Sequence, residues 1–184
     1  FCALEPENRH ESADHALHAL TDLLGEQKRL DLKNLPVDHI IDNQYRVEKR
    51  LGQPGSFAVA YKVFNSIYGE SQVIKLVVSD RSSTFDRLLQ EFSSLRQVSS
   101  HQHIVNVIAA GLLRDNTPYL LLEFVEGKTV IEAIEDGSLS LNDSITIAQQ
   151  TAQGLAYIHD NGIYHQDIKP ENLFLTAQGV KIID

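Results

Sequence analysis

Between residues 45 and 78 the apolar side chains fall into three runs of strand length, 45–51, 57–64 and 72–78, broken by glycines at 52, 55 and 69. The runs are rich in Val, Ile, Phe and Tyr, residues that fit a pleated, half-buried surface. No other feature limits the fold as much, because successive strands must find a sheet. Leu88, Phe92, Leu95 and Val98 then recur at helical spacing. Two further strands are expected over 105–113 and 119–125, split by the turn Asp115-Asn116-Thr117-Pro118. A long helix is expected over 142–161, with Ile145, Ala148, Ala152, Leu155 and His159 on its buried face. Ser140 with Asp143 forms its capping box and Gly162 closes it. Residues 173–175 and 180–183 read as short strands around Ala177-Gln178-Gly179.

The segment before residue 45 differs in kind. Ser12 caps an amphipathic helix carrying Ala13, Ala16, Leu17, Leu20, Leu23 and Leu24, which Gly25 stops. Residues 32–42, with Pro36, look irregular. The stripe reads as a docking or linker helix. His10, His15 and His18 lack a fourth, rigidly placed ligand, so they read as surface residues rather than a metal site.

The composition excludes several classes. One cysteine, Cys2, rules out a disulfide framework or a CxxC zinc site and suits a reducing cytoplasm. No apolar run approaches the roughly 20 residues of a membrane span. No basic-then-apolar leader is visible. The net charge of −9 gathers toward the two ends, whereas residues 45–128 carry ten basic and eight acidic side chains. An anionic ligand is best tolerated there, and no basic stripe for nucleic acid exists. A chain that starts at Phe1 and stops at Asp184 is expected to be a fragment.

Three elements carry chemistry. The first is Gly52-Gln53-Pro54-Gly55-Ser56-Phe57 between two strands. Glycines there let backbone N–H groups approach phosphate oxygens. A dinucleotide-binding turn would need a helix next, and a strand follows instead. Gly127-Lys128-Thr129 imitates the end of a P-loop, but Leu122 stands where that motif needs its first glycine. The second element is Val73-Ile74-Lys75-Leu76. Val73 and Lys75 share one side of the strand, and a lysine inside an apolar strand is costly unless it meets an anion. Glu91 lies on the helix face of Leu88 and Leu95, where a Lys75–Glu91 ion pair would satisfy both charges.

The third element is Tyr164-His165-Gln166-Asp167-Ile168-Lys169-Pro170-Glu171-Asn172, followed by the apolar strand that ends in Asp184. Asp167 supplies a proton acceptor and Lys169 a charge for a moving phosphoryl group. Asn172 and Asp184 supply oxygen ligands of the kind Mg²⁺ takes.

In this order the motifs resemble a eukaryotic-like (Hanks-type) serine/threonine protein kinase domain over residues 43–184. The resemblance implies an α+β fold: a five-stranded antiparallel N-lobe sheet with one helix (about 43–122), a hinge (123–127) and the start of a mainly helical C-lobe (128–184). Residues 1–42 would be an upstream helical and linker segment, with an upstream domain conceivable beyond it. ATP and Mg²⁺ are the implied cofactors, and a protein Ser or Thr hydroxyl is the acceptor. Leu51, Gly52, Gly55, Ser56 and Phe57 resemble the phosphate-covering loop, and Lys75 with Glu91 the strand lysine and its helix partner. Leu122 falls at the gatekeeper, and Glu123 and Val125 in the hinge that meets adenine. Ala60, Val73 and Phe174 fall where the ring is sandwiched. Asp167, Lys169 and Asn172 match the catalytic loop, and Asp184 the metal-binding Asp.

The sequence departs from the family in four places. The glycine loop is one residue longer, and Ala58 replaces its third glycine. Gln166 stands where an arginine is usual, and the chain ends at Asp184. The rival readings are a pseudokinase, binding nucleotide or acting as a scaffold without turnover, and an interaction surface centred on the helix at 12–24.

Overall fold

A computed structural model describes residues 31–52, 58–78, 90, 92, 96 and 101–183. The chain divides into two units, 1–31 and 32–184, and the sheets and helices of the described residues lie in the second. The helix expected over 13–24 and the three nearby histidines lie outside the described residues.

The strand runs emerge as β2 (Tyr45–Leu51), β3 (Ala58–Asn65), β4 (Glu70–Val77), β5 (Val107–Leu112) and β6 (Pro118–Glu123). A two-residue strand, β1 (Ile40–Ile41), precedes them. All pair antiparallel in the order β1-β2-β3-β4-β6-β5. The five strands expected from the sequence are thus joined by a sixth. Residues 32–41, which read from the sequence as linker, are part of this layer. The Tyr61 hydroxyl accepts the Leu35 N–H at 3.0 Å and donates to the Leu32 carbonyl at 2.9 Å. Leu35 and Ile41 then cover one face of the sheet, over Val59, Tyr61, Val63, Ile74, Leu76 and Leu121. Burying a large apolar side chain of this kind contributes roughly 1.5–3 kcal/mol. At the strand ends the buried Asn65 amide donates to the buried Gln72 amide oxygen at 2.8 Å, and the Gln72 amide donates to Glu70, as buried amides must find partners.

The opposite face carries Val77, Leu120 and Leu122, packed with Val105, Val107 and the half-buried Phe92. Residues 90, 92 and 96, within the expected helix, are helical.

The second half is built from β7 (Lys128–Thr129), α1 (Val130–Glu135), α2 (Leu141–Asp160), β8 (Leu173–Thr176) and β9 (Gly179–Ile182). The three strands form a small antiparallel sheet. Both helices start with complete capping boxes, Thr129 with Glu132 and Ser140 with Asp143. Each such cap is worth about 1 kcal/mol. At the end of α2 the Gly162 N–H bonds His159 and the Ile163 N–H bonds Ile158, with Gly162 at φ +73°. That is the left-handed stop the sequence suggests.

Of the five residues that periodicity selects for the buried face of α2, Leu155 packs against the core and the other four do not. Thr151, Gly154 and Ile158 point inward, whereas Ile145 is 49% exposed and Ala148, Ala152 and His159 are exposed. A Cβ on Gly154 would come within 2.9 Å of Ile182 Cδ1 and 3.2 Å of His103 Cβ. The helix meets β9 through its smallest residue, which an apolar stripe does not mark. Strand β9 is bound on its other side by residues 103–105. Ile182 N–H donates to the His103 carbonyl at 2.8 Å, and Val105 N–H to the Ile182 carbonyl at 2.9 Å.

Candidate active site

Residues opposite one another in an antiparallel pair point to the same face. Leu51 stands opposite Ala60, Ala60 opposite Lys75, and Lys75 opposite Leu120. Val73 stands opposite Leu122. Register alone therefore gathers Leu51, Ala60, Val73, Lys75 and Leu122 on one face, the face that also packs Val125 and Ile183. Lys75 is half-buried there. Gly52 ends β2 at φ +63°, a conformation that glycine adopts without strain. Gly55, Ser56 and Phe57, like Glu91 and Asp184, lie outside the described residues, and so does the expected Lys75–Glu91 pair.

Beyond β6 the chain passes Val125 and reaches Gly127. Its φ is +154°, and a Cβ there would lie 2.1 Å from the Leu175 carbonyl oxygen. This glycine, which imitates a P-loop in sequence, is what lets the connection pass against β8.

The polar centre lies between α2 and β8. Gln166 takes φ +64°, an uncommon value for a side chain of this kind, just before Asp167. Pro170–Asn172 forms a single 3₁₀ turn with proline in its first turn. That turn brings Asn172 back onto the loop. Its amide donates to the Asp167 carbonyl at 3.0 Å and to the Asp167 carboxylate at 3.1 Å. Lys169 Nζ meets the same carboxylate oxygen at 2.7 Å. Asn172 is buried, whereas Asp167 and Lys169 are open to solvent. Lys169 beside it holds the Asp167 carboxyl below its ordinary pKa, with help from the Asn172 amide. The same contact raises the Lys169 ammonium. Both groups are therefore charged at neutral pH.

The loop is fastened to β9. Ile183 N–H donates to the Asn172 carbonyl at 2.9 Å. His165 Nε2 lies 3.3 Å from the Ile183 carbonyl, while its Nδ1 faces the Asp167 N–H at 3.4 Å. An Nε2-protonated ring fits both partners. The residue before Asp184 is thus tied to Asn172 and His165. Phe174 sits half-buried on β8, opposite Thr129 and Lys181.

The model of the protein kinase domain matches residues 45–184. The chain belongs to the protein kinase family. It is 31% identical over 151 residues to a probable serine/threonine-protein kinase of Clostridium acetobutylicum, an alignment covering 79% of this chain and 22% of that protein. It is 32% identical over 149 residues to CBL-interacting serine/threonine-protein kinase 20 of Arabidopsis thaliana, covering 79% and 33%. The chain therefore spans a fifth to a third of the length of these curated relatives. Its fold is similar to the PknI kinase domain of Mycobacterium tuberculosis, with a TM-score of 0.64 and 24% identity, covering 82% of this chain and 62% of that one.

Within this kinase frame, sequence reasoning misses the surroundings of Glu123. Its carboxylate accepts the Asn106 N–H at 2.8 Å and ion-pairs with Lys181. Nothing local marks the pair, since the partners are 58 positions apart. Among the described residues no helix is long and apolar enough to cross a membrane.

Proposed function

We propose that the protein is an ATP-dependent serine/threonine protein kinase, transferring the γ-phosphate of Mg-ATP to a Ser or Thr hydroxyl of a protein substrate. The observation that carries this reading is the single carboxylate oxygen of Asp167 shared by Lys169 and Asn172. Phosphoryl transfer needs mostly positioning and charge stabilisation, and little covalent chemistry from the protein.

Asp167 is ionised and open to solvent, so it can orient an incoming hydroxyl and accept its proton. Lys169 stands beside it to neutralise charge on the moving phosphoryl group. A lysine two positions after the Asp is the serine/threonine pattern of the family that the sequence resembles. Lys75 and the backbone N–H groups of Gly52, Gly55, Ser56 and Phe57 hold phosphate oxygens. Leu51, Ala60, Val73 and Leu122 line the adenine side from the sheet, with Phe174 from β8, and the Glu123–Val125 backbone meets the ring edge.

Among the described residues no cluster of three or more His, Cys, Asp or Glu forms a ready metal cage. Magnesium does not ask for one, since it takes one or two protein oxygens and fills its shell with water and phosphate. With its side-chain amide nitrogen committed to Asp167, Asn172 has its side-chain oxygen Oδ1 left for a cation, and Asp184 follows the residue tied to Asn172. These residues fit the ion, which when bound neutralises charge on the phosphates. The acidic charge balance speaks against a nucleic-acid substrate, and the single cysteine suits the cytoplasm.

The test is transfer of labelled γ-phosphate to a serine/threonine peptide by the full-length protein, with Lys75→Met beside the wild type. Wild-type transfer that falls about 100-fold or more in the variant, at an unchanged melting temperature, is expected. Tight Mg-ATP binding without transfer by the wild type would favour the pseudokinase instead.

A further inference from the structure

We infer that residues 32–41 form a strap that splints β2 across its bulge, and that docking of this strap is coupled to nucleotide binding; this rests on the kinase reading above. The register of β2 against β3 shifts between Val47 and Lys49, and a bulge of this kind bends the strand that carries it. Beyond the bend only Lys49, Arg50 and Leu51 remain in β2. That short arm leads directly into Gly52, and its Leu51 is one of the residues assigned to the adenine side.

The strap is bonded to both sides of the bend. Ahead of it, Asp38 N–H donates to the Val47 carbonyl and Val47 N–H to the His39 carbonyl, both at 2.8 Å, while Ile40 and Ile41 pair with Arg46 and Tyr45. Beyond it, Arg50 Nη1 donates to the Lys33 carbonyl at 3.2 Å and to Asn34 Oδ1 at 3.1 Å. Tyr61 stands opposite Arg50 in the ladder, and its hydroxyl ties the same turn through Leu35 N–H and the Leu32 carbonyl. The next pair along, Leu51 opposite Ala60, presents its side chains to the other face. Strap and nucleotide therefore grip one short stretch of two strands from opposite sides. A site already held in its binding geometry loses less freedom when the ligand arrives. With the strap released, only the ladder to β3 braces the arm beyond the bulge, and the nucleotide must hold it still. Such coupling is reciprocal: Mg-ATP makes release of the strap rarer by the factor by which release weakens Mg-ATP. Whatever loosens the strap lowers nucleotide affinity without touching Asp167, Lys169 or Asn172.

The experiment is hydrogen exchange of the full-length protein with and without saturating Mg-ATP, beside calorimetric titration of Mg-ATP into wild type, Tyr61→Phe, Arg50→Met and the double variant. Tyr61→Phe keeps the buried ring and removes only the hydroxyl that ties the strap. In the wild type, Mg-ATP should slow exchange at residues 32–35 about five-fold or more. Without nucleotide these residues should exchange faster in each variant, with exchange in β3 and β4 as the check that the sheet is intact. The Kd for Mg-ATP should rise in each single variant and further in the double. Its rise should not exceed the factor by which Mg-ATP slows wild-type exchange, because both measure one coupling. Exchange at 32–35 that Mg-ATP leaves unmoved overturns the inference. So does an unchanged Kd in a variant whose strap exchanges faster, which makes the strap merely structural. Should neither substitution speed exchange, Leu35→Asp sets a carboxylate at a buried position, frees the strap and is read in the same way. A wild type that binds no Mg-ATP is a separate outcome: it removes the kinase reading and this inference with it.

Discussion

The sheet of β1–β6 and the loop at Asp167 are held together by opposite means. The sheet rests on apolar side chains with no exposure at all, such as Val47, Tyr61, Val63, Ile74 and Leu76. The loop rests on backbone and polar hydrogen bonds around residues that stay wet, with Asn172 its buried member. The difference teaches where each half can fail. A packed face loses stability when a side chain is shortened and keeps its chemistry once folded. A polar loop loses its chemistry when a charge is removed and stays folded.

Ile74→Ala breaks the sheet side of this contrast. Ile74 is fully buried between strands that flank it on both sides. Truncation should cost about 2–5 kcal/mol of folding free energy, read as a lower denaturant midpoint. The folded fraction should retain its rate per molecule. A loss of stability below 1 kcal/mol would mean that the 32–41 segment and the sheet repack freely.

Lys169→Met tests the loop side. Its removal should lower the rate about 100-fold or more, with little change in melting temperature. It should also move the acid limb of the rate profile. Lys169 holds the Asp167 carboxyl below its ordinary value, so in the wild type the ionised form persists as pH falls into the usual carboxylate range. Without the ammonium group the pKa rises and the limb shifts to higher pH. An unmoved limb would show that another group governs it.

Thr151→Val gives the smallest effect and sharpens the comparison from between the two regions. Thr151 is buried in α2 with its hydroxyl lacking a partner. The isosteric change removes an unsatisfied group and should raise stability by about 1 kcal/mol, without altering the rate. A destabilised variant would mean that the hydroxyl has a partner, such as a buried water.

Much of this was readable beforehand, for reasons tied to particular residues. Strands β2, β3 and β4 announce themselves through β-branched and aromatic runs cut by glycines. The loop announces itself because Asp167, Lys169 and Asn172 form one tight motif whose spacing is its geometry. β1 is hidden, since two isoleucines between Asp38 and Asp42 carry no period, and what holds them is the ladder to Val47 and the layer under Tyr61. The inward face of α2 is hidden because its contact runs through Gly154, and the wider stripe of Ile145, Ala148 and Ala152 faces out. Lys181 and Glu123 are hidden because only the folded chain makes them neighbours.

The central claim is that the Asp167 carboxylate performs the chemistry on a scaffold that does not depend on it. The most direct measurement is transfer of labelled γ-phosphate from Mg-ATP by Asp167→Asn and wild type side by side, with thermal unfolding of both. The account predicts a loss on the order of 100- to 10,000-fold at a melting temperature close to wild type. Transfer at the wild-type rate by Asp167→Asn would contradict it.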